Sequence, residues 1–223
     1  MGICGEDASV LAQRLAHVLW IGGAPDAGKT SLAQELVWRH GLQLYHQDRL
    51  EPAHFARATV ERHPEMRAFW TMSPDERWVL RPPEEMAAQV VRSSAERFEM
   101  AVEDLLALPS DPPILAEGPW LFPQLVAPVL TTSQQGLWLV PTLEFKRASA
   151  ARRDKPGSRH ETSDPERATR NWLARDLLLA DHVRAAAAAL GLTLWEVDGS
   201  RSPDELAALA EQHFASWVSF PAQ

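Results

Sequence analysis

Gly23, Gly28, Lys29 and Thr30 have the types and the spacing of a loop that holds phosphate, G-x-x-x-x-G-K-[ST]. Ala24, Pro25, Asp26 and Ala27 fill the interval, and Ser31 follows it. Such a loop turns successive backbone N–H groups inward, and the positive end of the following helix adds to them, so a polyphosphate can sit there. Lys29 would reach the β- and γ-phosphates, and the Thr30 hydroxyl would ligate Mg²⁺. Lysine is scarce in this chain: Lys29, Lys146 and Lys155 are all it has. Asp26 is the discordant residue, because a carboxylate beside phosphate costs binding energy unless it points to solvent or to a substrate.

Three further groups could complete a reaction. Asp48 lies nineteen positions after Lys29, just beyond an apolar run. It could accept the proton of a hydroxyl attacking a γ-phosphate, hold Mg²⁺ through water, or cap a helix beginning near Glu51. His46 and His54 flank it and read as structural or as substrate contacts. Glu117 ends another apolar run, and a buried acid there must be ligated or paired, through Mg²⁺ and water, a substrate group or an arginine. The third group is basic. Residues 142–175 hold nine basic and five acidic side chains in a chain of net charge −8. Arg147, Arg152 and Arg153 precede a polar, Pro/Gly-broken flap at 154–164, and Arg170 and Arg175 follow it. They could converge on a phosphoryl group in transfer, or form a solvated, salt-bridged helix face.

These residues need a frame. Apolar runs at 17–21, 42–46, 114–117, 137–140 and 192–197 alternate with helical spacing, which predicts a parallel sheet covered on both faces. In such sheets ligands bind beyond the carboxyl ends of the strands. Helices are expected over 31–40, 143–153 and 165–190, the last capped by Asp164, and a final one begins at Pro203 after Ser202. The interval 50–113 is too long for a simple crossover and reads as a helical acceptor-binding insertion. Trp70 and Trp78, with Arg62, Arg67, Arg77 and Arg81, would form an acceptor lid there or else belong to the core. The whole of 1–223 reads as one domain.

Composition removes other classes. With 22 basic against 30 acidic residues, a nucleic-acid surface is not expected. No apolar run reaches membrane-spanning length. Glu6 and Asp7 stand where a signal peptide would be basic, and the lone Cys4 precludes an internal disulfide framework. A cytoplasmic monomer or homodimer is expected. No lysine has an acid two positions later, so the guanine-reading [NT]-K-x-D element is missing.

The loop with its "AGKTS" ending, Asp48 after "YHQ", and the arginine-rich flap together resemble the phosphate-loop (Walker A) kinases of the nucleotide and shikimate kinase group. The chain is similar to their chloramphenicol phosphotransferase branch. That resemblance implies a three-layer α/β/α fold with sheet order 2-3-1-4-5 and ATP with Mg²⁺ at residues 23–31. It makes Asp48 the acceptor-activating aspartate and Arg152 or Arg153 the flap arginine. The expected activity is an ATP-dependent phosphotransferase moving the γ-phosphate to a hydroxyl or phosphate of a small molecule. Alternatives are an ATP-binding switch or ATPase acting with a protein partner, its flap arginines at the interface, or a non-catalytic remnant. Asp26, the Glu117-Gly118 pair and the long acceptor region depart from the pattern and bear on which acceptor is used.

Overall fold

The structure, a computed structural model, describes residues 7–152, 159 and 161–215. In chain order the elements are α1 (Ala8–Arg14), β1 (Val18–Gly23), α2 (Lys29–His40), β2 (Gln43–His46), α3 (Glu51–Arg57), α4 (Pro64–Thr71), α5 (Pro74–Trp78) and α6 (Pro83–Ala107). There follow β3 (Ile114–Glu117), α7 (Pro123–Val126), β4 (Gly136–Pro141), α8 (Leu143–Arg152), α9 (Pro165–Ala189), β5 (Thr193–Val197) and α10 (Pro203–Phe214). A 3₁₀ turn, Gln47–Leu50, joins β2 to α3.

All five strands are parallel, in the order β2-β3-β1-β4-β5, as the resemblance implied. The central strand β1 is buried along its whole length, which is why it reads as an unbroken apolar run. Alternate side chains then serve opposite faces. Val18 and Trp20 join Phe98, Leu105, Trp138, Leu179 and Val183 under α1, α6, α7 and α9. Leu19 and Ile21 join Leu32, Leu36, Leu137, Leu139, Ala207 and Phe214 under α2 and α10. Three layers result, helices on either side of one sheet. The indole N–H of Trp138 is satisfied inside the core by the Leu121 carbonyl at 2.8 Å.

Local chemistry sets the ends of the elements. Ser202 and Glu205 form a reciprocal capping box on α10, and Asp164 accepts from the Arg167 N–H at 2.9 Å to start α9. β1 runs on through Gly23, two residues past the apolar run, because Gly22 and Gly23 still pair with Trp138 and Leu139 of β4, and only glycine fits at position 23. Its φ is +124°, and a Cβ would stand 2.0 Å from the Leu139 carbonyl oxygen of β4. The helix expected from Ser31 begins at Lys29, directly behind the left-handed Gly28. Within 50–113 three short helices precede the 25-residue α6, whose Phe98 ring packs 5.8 Å from Trp20. Among the described residues no helix is long and apolar enough to cross a membrane.

Candidate functional site

Register brings the candidates together before any side chain is placed. Ile21 of β1 and His46 of β2 both pair with Glu117 of β3, so three strand ends open on one spot. The loop rises from β1 there, with Asp26 at φ 61° and Gly28 at φ 82°. Aspartate is among the few residues besides glycine that adopt the left-handed region readily. A cavity of about 460 Å³ lies over the loop, lined by Pro25 to Ser31 with Asp48, Glu51, Glu117, Pro119, Trp120 and Arg175. Gly23 and Ala24 sit beneath it as the loop's footing, the Ala24 N–H bonded to the Leu139 carbonyl at 2.9 Å.

Lys29 is buried, and its Nζ donates to the Ala24 carbonyl at 2.6 Å. Desolvation pulls its pKa below the ordinary lysine value, with Glu117 the strongest of the carboxylates opposing that. Thr30 Oγ1 donates to Glu117 Oε1 at 3.2 Å, so the two expected Mg²⁺ ligands meet. Magnesium on a nucleotide needs only one or two protein oxygens besides phosphate and water. Among the described residues no group of three or more metal-binding side chains is gathered. His46 Nδ1 lies 2.7 Å from the same Glu117 oxygen, but the ring is not aligned for a hydrogen bond, so this contact depends on charge. Glu117 therefore faces threonine and histidine rather than an arginine. Asp48 occupies the 3₁₀ turn, and the cap of α3 is Leu50, so the helix-cap role for Asp48 does not hold. The carboxylate is reachable from solvent, yet the surrounding protein mass raises its pKa, with Lys29 the largest opposing influence.

The basic segment divides. Arg175, half-way along α9, lines the cavity, donates to Asp176 Oδ1 through Nε at 2.9 Å, and lies over Trp78 at 5.1 Å. Arg147 is exposed, and Arg170 pairs with Glu166 at 3.7 Å on the outer face of α9. Arg152 ends α8, but its side chain lies outside the described residues, as do Arg153 and most of the flap at 154–164. The Asp26 side chain does not point to solvent: its Oδ2 is 2.7 Å from the buried Lys146 Nζ.

A second cavity of about 250 Å³ adjoins the first and shares Glu51, Trp120 and Arg175 with it. Phe69, Trp78 and Val90 supply apolar wall, Gln89, Ser93 and Arg97 polar wall. Arg97 pairs with Glu51 at 2.6 Å and stacks 4.8 Å over Trp120. Its Nε and the Trp120 Nε1 are buried donors without partners. Of the expected lid, only Trp78 reaches this cavity. Trp70 packs on Phe55 at 5.0 Å, Arg67 stacks on Phe55, Arg77 bonds the Phe69 and Trp70 carbonyls, Arg81 bonds Gln89, and Arg62 pairs with Glu99 and Glu103. His54 is buried against Asp104 at 2.7 Å and is structural. Sequence reasoning missed Lys146, Glu51, Arg97 and Trp120. Lys146 alone carried a signal, as one of three lysines, placed early in a helix beside Phe145.

Glu117 gives a prediction about stability. Burial raises its pKa, so the folded protein carries a penalty for the ionised acid. The penalty is full at neutral pH and fades as pH falls through the raised pKa, where the folded state takes up a proton more readily than the unfolded one. Glu117→Gln keeps an oxygen for Thr30 and removes the charge. The free protein should melt a few degrees higher at pH 7, with the gain vanishing in acid, while any Mg²⁺-dependent nucleotide binding weakens. Melting curves at pH 7 and pH 4 with and without Mg²⁺ check both halves.

No protein-family model and no curated protein matches this chain, so its function is read from the site itself.

Proposed function

We propose that the protein is an ATP-dependent small-molecule kinase, a Walker A phosphotransferase of the nucleotide and shikimate kinase type, working in the cytoplasm. The observation that carries this reading is the meeting of Lys29, the Thr30–Glu117 pair and Asp48 around one cavity over a glycine loop. A base, a phosphate-binding cation and a metal-ligating pair are what transfer to a hydroxyl requires. Loop N–H groups and Lys29 hold the donor phosphates. Thr30 and Glu117 would hold Mg²⁺, which supplies neutralisation of phosphate charge when bound. The acceptor enters through the second cavity, against Trp78 and Trp120, with its hydroxyl toward Asp48. As the acceptor oxygen bonds to the γ-phosphorus and the bond to ADP breaks, Asp48 takes the hydroxyl proton. Arg175, at the junction of the two cavities, is the described arginine placed to stabilise the moving charge.

The test is ATP turnover against nucleosides, nucleotides, sugars, shikimate and hydroxylated antibiotics, with product mass as readout. One acceptor should stimulate ADP formation and gain a phosphoryl group. ATP hydrolysis indifferent to every acceptor would instead favour an ATPase acting with a protein partner.

A further inference from the structure

Four charges alternate from the loop into the helices behind it. Asp26 Oδ2 lies 2.7 Å from Lys146 Nζ, Lys146 lies 2.6 Å from Asp176 Oδ2, and Asp176 is held by Arg175 through both Nε and Nη2. Lys146 is 1% exposed, and its Nζ sits 4.4 Å from the Trp172 ring. The Asp26 side chain is 5% exposed. The quartet is neutral as a set, and Arg159, over the same Trp172 ring, adds a further cation that acts on both acids. The quartet lies directly under a cavity that is read as the seat of a triphosphate.

We infer that Lys146 is a positioning residue that draws the Asp26 carboxylate out of the phosphate cradle and so makes an acidic loop competent to bind nucleotide. The inference rests on the reading of residues 23–31 as a nucleotide site. Backbone geometry fixes where the Asp26 side chain starts, since its left-handed φ of 61° belongs to the loop's turn. Its direction is then set by what it meets. Lys146 meets it from α8 and is itself fixed from α9 by Asp176, so the carboxylate is both turned away and neutralised. Without the lysine, the quartet carries net charge −1 beside three phosphates, and the buried acid has lost a cation.

The same geometry explains how this loop tolerates an acid at all. Repulsion between a free carboxylate and a phosphate charge about 8 Å away is a tens-of-fold effect on affinity at an effective dielectric of about 20. A cation supplied from another element removes it without changing the backbone of the loop.

A double-mutant cycle on the full chain tests this, with Mg·ATP binding read by calorimetry and folding by circular dichroism and melting. Lys146→Met should bind Mg·ATP about 30- to 100-fold more weakly than wild type. Lys146→Met with Asp26→Asn, where the residue tolerates the same φ and carries no charge, should return to within about threefold of wild type. Asp26→Asn alone leaves Lys146 in place and should bind about threefold more tightly. Wild-type affinity in Lys146→Met, or a double variant no tighter than Lys146→Met, overturns the inference, the latter because Lys146 would then serve the fold or the phosphate directly. If Lys146→Met does not fold, Asp26→Asn decides: tighter binding supports the inference, and weaker binding shows that the carboxylate serves the nucleotide and overturns it. Absence of Mg·ATP binding in the wild type removes the nucleotide reading and this inference with it, whereas the cycle can fail while wild-type binding stands.

Discussion

Asp48→Asn should lower kcat by about 10²–10⁴, the usual worth of a positioned base, while the fold and Mg·ATP affinity stay near wild type. The residue sits in the 3₁₀ turn after β2, caps no helix, and lines the cavity beside Lys29. Its charge favours the buried Lys29 ammonium, so an unchanged melting curve and Mg·ATP affinity in the variant are what make a loss of turnover report chemistry. Its pKa is raised, chiefly by desolvation, which brings the carboxylate nearer to a useful proton acceptor at neutral pH. The sign of the pH dependence follows. Activity should fall on acidification as Asp48 gains a proton, at a pH above that of an ordinary aspartate, and this limb should be missing from the residual activity of Asp48→Asn. Stopped-time assays of ADP formation across pH 4 to 8 measure it. Turnover at the wild-type level in the variant would exclude Asp48 as the base.

Lys29→Ala should lose affinity and activity together, by at least about 10²-fold in Mg·ATP binding, since charge-assisted contacts to phosphate are the strong ones in a buried site. Lys29 donates to one of the loop's own carbonyls, with Nζ 2.6 Å from the Ala24 oxygen. It is also the main favourable charge acting on Asp48. The variant therefore pays twice, through the lost phosphate contact and through a base held more firmly protonated. Stability should change little, because the gain from removing a desolvated ammonium is offset by leaving the buried Glu117 without that cation. Calorimetric titration with Mg·ATP beside a melting curve separates the two. Undiminished binding would mean that the loop is not a nucleotide site.

The frame of this site was legible because its signals are local. Five short apolar runs bounded by turn residues gave the strands to within a residue or two, and the carboxyl-end rule pointed to Asp48 and Glu117 before any coordinates. Tertiary partners were not legible. The basic stretch 142–175 reads as a phosphate clamp or as a solvated face, and the fold divides it by helix phase. Arg175 turns inward to the cavity, whereas Arg170, five residues earlier and most of a half-turn away, faces water beside Glu166. Asp26 looked like a defect in the loop because its partner lies 120 residues later on α8. The arginines of the insertion read as part of an acceptor lid or of the core, and Arg77 and Arg81 tie short helices together through backbone and amide bonds. Pairing across such distances leaves no periodic trace in a sequence.

The second cavity is walled largely by chain that lies between β2 and β3 and adds no strand to the sheet. Phe69 and Trp78 come from short helices, and Gln89 and Ser93 from one stretch of α6. The glycine loop and Glu117 are instead anchored in buried strands, and Lys29 and Thr30 open the helix directly behind that loop. Mutational drift therefore meets two very different constraints within one pocket. On the kinase reading proposed above, a new acceptor needs changes in only a few side chains of the insertion, and each leaves the donor half intact. What such a site modifies is then free to change before how it does so.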